Sequence, residues 1–206
     1  MEIGKVERGK FIVFEGLDGS GKTTQIKRLA SHFTEQGLNC LVTSEPTNGP
    51  IGVLCRSALR GITPMSQDAM ALIFAADRME HILEEVRPAL DAGVHVLCDR
   101  YVYSNMAFQG DIVPISTIAA YNERSMTKPD LSVFIDVKPE ECSRRMTSSR
   151  QGAEIYDSPK LAIETRERYL KIFELYEKQM PIKIIDGNLS EDKVFVELLS
   201  ALQDAL

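Results

Sequence analysis

FEGLDGSGKTT, residues 14–24, is the stretch that decides the fold. Within it, Gly16 to Thr23 fits the pattern G-x-x-x-x-G-K-[ST], a loop that holds the phosphates of a nucleotide. Gly16, Gly19 and Gly21 allow tight turns and close approach of the backbone to oxygen anions. Successive N–H groups over Leu17, Asp18, Ser20 and the helix start at Lys22, Thr23 and Thr24 form a nest for those anions. Lys22 is placed to reach the β- and γ-phosphates of a nucleoside triphosphate, and the Thr23 hydroxyl to meet Mg²⁺. Asp18 is the odd residue, a carboxylate in a loop built for anions. The motif leaves the phosphoryl acceptor open: water, a protein side chain, a nucleoside and a nucleoside monophosphate all remain.

The loop sits where such a loop must, between a strand and a helix. Residues 10–15 (KFIVFE) read as the strand. Residues 22–36 read as the helix, with Ile26, Leu29, Ala30 and Phe33 on one face. Four more apolar, β-rich runs follow at 39–44, 94–98, 130–137 and 181–186. Helical patterns lie between them. The longest spans 66–92, with Ala69, Leu72, Ile73 and Ala76 as its expected apolar stripe and Pro88 as a break. Ser158-Pro159 starts another helix, running to about Lys178. Near-continuous apolar strands alternating with helices predict an α/β three-layer sandwich of the nucleotide-hydrolase type. Its core would be a five-stranded parallel sheet covered on both faces. No repeat or linker divides the 206 residues, so one domain is expected over 1–206.

Composition narrows the function. Hydrophobic residues make up 44% and charged residues 26%, ordinary for a globular protein. A net charge of −6 argues against a broad nucleic-acid surface, which needs a basic face. Cys40, Cys55, Cys98 and Cys142 form no CxxC pair, so free thiols in a reducing, cytoplasmic setting are the expectation. The opening residues lack a basic segment followed by an apolar signal core, and no apolar run is long enough for a membrane span.

Beyond the loop, VHVLCDR (94–100) is an apolar strand ending in Asp99, an acid suited to complete a Mg²⁺ shell, followed at once by Arg100. Both fall at the carboxyl end of a strand, where open α/β sheets bind ligands. Residues 146–157 (MTSSRQGAEIYD) are polar and lie between two helices. With Arg144, Arg145 and Arg150 in or beside them, they read as a short lid over phosphates. Transfer between two anionic substrates needs many cations, and Lys22, Arg56, Arg78, Arg100 and the lid arginines are the candidates.

With these pieces placed, the chain resembles the thymidylate kinase family over about residues 11–176. FEGLDGSGKTT is similar to that family's phosphate loop, and SEPTNGPIG to its Glu-Pro loop after the second strand. LIFAADRMEH (72–81) resembles its substrate helix, DRYVYSNMAFQG (99–110) its Asp-Arg-Tyr and Ser-Asn motif, and KPDLSVFIDV its fourth strand. The resemblance implies transfer of the ATP γ-phosphoryl group to dTMP, giving dTDP for dTTP synthesis, by a homodimer. It implies that Phe74 stacks on thymine, Arg78 reaches the base or acceptor phosphate, and Arg100 and Arg56 hold that phosphate. Ser104 and Asn105 would sit near the base, Phe108 at the sugar edge and Tyr156 over the nucleoside. Glu45 would make an indirect contact to the metal or the substrate arginines. Asp18 would face the deoxyribose 3′-hydroxyl or help organise the metal.

Two departures from the family pattern matter. No base lies between the loop glycines, where Asp18, Gly19 and Ser20 stand, which implies that the catalytic arginine comes from the lid. Arg150 is the first choice and Arg144 and Arg145 the alternatives, with Arg144 also expected to touch ATP. Ser44 stands just before Glu45, where many bacterial members carry an arginine. Two rival functions stay open on the residues alone. One is a kinase for another nucleoside or nucleotide. The other is a nucleotide switch, against which stands the lack of an Asn-Lys-x-Asp-type guanine-reading motif.

Overall fold

The computed structural model describes residues 7–124, 126–147, 155–156 and 158–205. Arg150 and most of the expected lid therefore lie outside the described residues.

Five parallel strands form one sheet in the order β2-β3-β1-β4-β5. They are β1 (Phe11–Glu15), β2 (Cys40–Ser44), β3 (His95–Asp99), β4 (Leu131–Asp136) and β5 (Ile182–Asp186). Each lies within two residues of the run that predicts it. β1 is central, and its side chains go alternately to two cores. Phe11 and Val13 join Val96, Cys98, Phe134, Tyr169 and Phe173 on one face. Ile12 and Phe14 join Leu29, Phe33, Val133 and Leu198 on the other. Burial on both faces is why β1, β3 and β4 read as unbroken apolar runs; the edge strands β2 and β5 are only partly covered.

Helix α1 (Lys22–Glu35) covers the second face, burying Ile26, Leu29 and Phe33 as its pattern predicts. α9 (Glu191–Ala205) packs beside it. The other face carries α3 (Gln67–His81), α5 (Val102–Gln109), α6 (Ile115–Asn122) and α8 (Pro159–Tyr176). α2 (Pro50–Leu59) packs on α3, and α7 (Pro139–Thr147) leads toward the expected lid.

The long helical pattern of 66–92 is divided. After α3 comes a π-helical turn, Ile82–Val86, and then α4 (Arg87–Asp91) with Pro88 in its first turn. Pro88 has no N–H to donate to the preceding turn and its ring crowds that turn's carbonyl; the wider π turn relieves both. The apolar stripe expected on α3 needs correction. Met70, Ala71, Ala75, Asp77, Arg78 and His81 are buried, whereas Leu72 is 48% exposed. The helix turns Arg78 and His81 inward because the interior supplies Glu45 as a partner to both. Leu72 and Ala76 are left outward.

Candidate active site

The carboxyl ends of β1 and β3 lie side by side, with Phe14 paired to Asp99. The loop after β1 and Arg100 after β3 therefore open into the same cleft. The cleft has a volume of about 630 Å³, a size that suits small-molecule ligands. Five cations line it, Lys22, Arg56, Arg78, Arg100 and Arg145, against three acids, Asp18, Glu45 and Asp99. A local cationic surplus in an acidic chain marks a site for anions.

On the loop side, α1 begins at Lys22 with Gly21 as its cap and no side chain bonded to its first amides. Those N–H groups are left for a ligand. Gly21 has φ +97° and Gly19 φ +79°, a region costly for residues with a Cβ. At Gly19 a Cβ would also lie 2.5 Å from the Cys142 carbonyl oxygen, so the loop packs directly on α7. The Lys22 ammonium is buried and donates to the carbonyls of Gly16 (3.1 Å) and Leu17 (3.0 Å). Burial, then the nearby Arg100 charge, pulls its pKa down, and Asp99 and Asp18 oppose this. Thr23 donates to Asp99 Oδ2 at 3.1 Å. Asp99 Oδ1 is buried with no hydrogen-bond donor. A threonine hydroxyl beside an unsatisfied carboxylate oxygen is a hard-oxygen donor set of the kind Mg²⁺ prefers.

On the other side of the cleft stands Arg100. It is the one non-glycine residue among those described with positive φ, 73°. Strained backbone of this kind costs about 1–3 kcal/mol and persists where the surroundings impose it. Its Nη2 donates to Asp18 Oδ1 at 2.8 Å, and its Nη1 to Ser104 Oγ (3.1 Å) and the Tyr169 hydroxyl (3.3 Å). The Phe108 ring lies 5.0 Å from the guanidinium. Burial opposes its charge, but Asp18, Tyr169 and Asp99 outweigh burial and raise the pKa. Asp18 thus faces the side of the cleft away from the phosphate nest.

The deep wall is a polar chain. Arg78, 1% exposed, pairs through Nη2 with Glu45 at 2.6 Å and donates through Nη1 to Asn122. Asn122 donates to Asn105 (3.0 Å), Asn105 to Gln109 (2.9 Å), and Gln109 to the Tyr156 hydroxyl (2.9 Å). Tyr156 donates in turn to Gln67 at 2.7 Å and stacks edge-on against Phe108, 5.1 Å between ring centres. The other Glu45 oxygen lies 3.1 Å from His81. Glu45, His81 and Cys98 are also the group among the described residues close enough to share a metal ion. Arg78 already neutralises that carboxylate, which disfavours a second cation there. Arg56 reaches in from α2 and donates to the Pro46 carbonyl at 2.8 Å. Phe74 completes the wall.

Nearly all the residues read from the sequence converge here. Gly16, Leu17 and Ser20 shape the loop from behind rather than lining the cleft. Arg144 does not join it: its side chain is 76% exposed and paired with Glu141 at 2.8 Å. Arg145 lines the cleft instead. It sits one position on and donates to Glu141 (2.7 Å) and to the Gly187 carbonyl (3.2 Å). Among the cleft and support residues that the sequence did not point to are Glu15, Tyr169, Gln109 and Asn122. Glu15 had a signal, since an acid closing a strand buried on both faces must have partners. Gln109 lies one helical turn after Asn105. Tyr169 had none, because it comes from α8, far along the chain.

Comparison with known proteins agrees with this geometry. The sequence profile described as "Thymidylate kinase" matches residues 14–198. A "Probable thymidylate kinase" of Methanococcus aeolicus is 41% identical over 199 residues, covering 95% of this chain and 96% of the relative. One of Pyrococcus abyssi is 36% identical over 206 residues, covering 97% and 98%. A "Thymidylate kinase" of Desulfotalea psychrophila is 40% identical over 166 residues, covering 80% of each. Its phosphate loop, its paired strand ends and these matches over most of its length place the chain in the thymidylate kinase family.

Proposed function

We propose that this chain transfers the γ-phosphoryl group of MgATP to dTMP, giving ADP and dTDP. The observation that carries it is the facing of two anion holders across one cleft: the loop with Lys22 on one side, Arg100 with Asp18 on the other. A nucleoside acceptor would not need that second holder. The family match and the names of the relatives support dTMP in particular.

In this reading the amides of Gly19 and of Gly21 to Thr24, with the Lys22 ammonium, hold the ATP phosphates, and Arg145 stands beside them. Thr23 and Asp99 hold Mg²⁺, which when bound neutralises charge on those phosphates. Arg100 releases Asp18 or shares it, and takes the acceptor phosphate with its fork of donors. Arg56 approaches the same phosphate. Phe74 offers a face for thymine, and the Asn105–Gln109 amides offer hydrogen bonds to its edge. Phe108 and Tyr156 close over the sugar, where bulk excludes a 2′-hydroxyl. Asp18, once uncovered, accepts from the 3′-hydroxyl. Arg150 is the proposed lid cation at the transferring group, with Arg145 the described alternative. Chemistry of this kind is mostly positioning and charge neutralisation, so no covalent intermediate is required. The enzyme acts as a homodimer, for which an exposed apolar stripe on α3 is the support.

The test is ADP release with MgATP and a panel of acceptors. dTMP should be used at least about a hundredfold more efficiently than thymidine, which leaves the phosphate pairing of Arg100 unmade, and than dCMP or dGMP, which leave hydrogen bonds at the base edge unmade. Preference for thymidine or a purine monophosphate would remove dTMP as the substrate.

A further inference from the structure

Behind Arg100, out of reach of any ligand in the cleft, lies Glu15. It is fully buried at the end of β1, one residue before the first glycine of the phosphate loop. Its carboxylate takes four hydrogen bonds from the far side of the site. Oε1 accepts from the amides of Tyr101 (3.0 Å) and Ser104 (3.2 Å). Oε2 accepts from the hydroxyls of Ser104 (2.5 Å) and Tyr169 (3.1 Å). Tyr101 caps α5 and has no side-chain bond of its own to the helix's first amides, so Glu15 closes that helix end from another strand. The two hydroxyls that Glu15 fixes are the same two that accept from Arg100 Nη1. The Arg100 amide itself donates to the Phe14 carbonyl at 2.8 Å. Two consecutive amides, of Arg100 and Tyr101, are therefore tied to the last two residues of β1. That pair of ties imposes the positive φ between them.

We propose that Glu15 is a positioning residue for the acceptor half of the site. It holds the backbone turn and the two hydroxyls that aim Arg100, and so sets the distance between the acceptor arginine and the phosphate loop. The proposal rests on the reading of Arg100 as the acceptor-phosphate residue. Its physical logic is that Glu15 is covalently continuous with the donor loop and hydrogen-bonded to the acceptor helix. Any change at Glu15 should move one holder relative to the other without altering either holder's own chemistry.

Glu15→Ala leaves two buried amides unpaired and frees both hydroxyls. The expected result is a rise of about tenfold or more in KM for dTMP, with KM for ATP within about twofold of wild type. Glu15→Gln should recover most of that loss. Its amide oxygen can take the two backbone donors, and its amide nitrogen can donate to the two hydroxyls, which rotate to accept. Because Glu15 acts through Arg100, Glu15→Ala added to Arg100→Ala should cost little beyond Arg100→Ala alone. If Glu15→Ala does not fold, Tyr169→Phe carries the test. It deletes one hydroxyl of the relay and should raise KM for dTMP about fivefold, again sparing ATP. An equal rise in both KM values, an unchanged KM for dTMP, or a double variant whose losses multiply would overturn the proposal. If Arg100→Ala itself left dTMP use intact, the acceptor reading would fall first. An Arg100 effect without a Glu15 effect removes only the positioning role.

Discussion

At the scale of the residue, the site is held by charges whose partners come from distant parts of the chain. Asp18 stands out in the sequence as an acid among phosphate-binding glycines, and the structure shows it on Arg100 at 2.8 Å. That partner lies 82 positions away, a separation no local pattern encodes. Arg144 and Arg145 look equivalent in sequence, yet helical geometry sends one to solvent and the other into the cleft, since neighbours on a helix point about 100° apart. Glu15 carries a testable electrostatic consequence. Burial raises its carboxyl above the ordinary 4.5, against the pull of Ser104 and Arg100. A raised folded pKa means that the group favours folding fully below 4.5 and loses that contribution as pH rises through the folded value. Glu15→Gln cannot ionise and escapes the loss. Its melting temperature should therefore gain on wild type as pH rises above 4.5, whatever its effect on catalysis. Thermal unfolding of both proteins across that range is the check, and a gap that moves the other way with rising pH would contradict burial as the dominant influence on Glu15.

At the scale of the element, strands were read to within two residues: burial on both faces leaves a plain apolar signal in β1, β3 and β4, and the half-covered edges β2 and β5 keep apolar, β-branched residues enough to be seen. α1 was equally clear, its stripe and its starting loop pointing to the same helix. α3 was not. Periodicity selects Leu72 and Ala76 as its inner face, but the interior holds Glu45 and Asn122, and Arg78 and His81 turn in to meet them. Tertiary pairing overrode the hydrophobic pattern. The stripe displaced outward is informative in turn. Leu72 (48%), Met79 (37%) and Leu83 (49%) are exposed at helical spacing, and Val53 (55%) stands on the adjoining α2. Apolar surface of this kind marks association, and a self-complementary face gives a two-fold dimer. Leu72→Glu with Leu83→Glu should convert a dimer to a monomer in size-exclusion chromatography with light scattering, while leaving the protein folded. A wild-type chain eluting as a monomer at micromolar concentration would count against the homodimer.

At the scale of the whole molecule, the strand order explains why so short a motif could predict so much. With β1 central and β3 beside it, the phosphate loop and the Asp99-Arg100 pair must emerge at one edge of the sheet. Topology alone brings the phosphate loop and Arg100 together, and the helices of the opposite layer add Phe74 and Phe108 to the cleft wall. The sequence could name both ends because each is a short local motif. The polar chain from Arg78 to Tyr156 crosses three helices and a loop, so it became visible only in three dimensions. Among the described residues, no helix is long and apolar enough to cross a membrane. The phosphoryl transfer proposed for this cleft requires its division into an ATP side and a dTMP side. The KM for dTMP of Arg100→Ala at saturating MgATP probes that division without an intermediary. A rise of about tenfold to a hundredfold is expected, the cost of one charge-assisted bidentate contact, with ATP binding close to wild type. Wild-type dTMP kinetics in that variant would place the acceptor elsewhere and contradict the division.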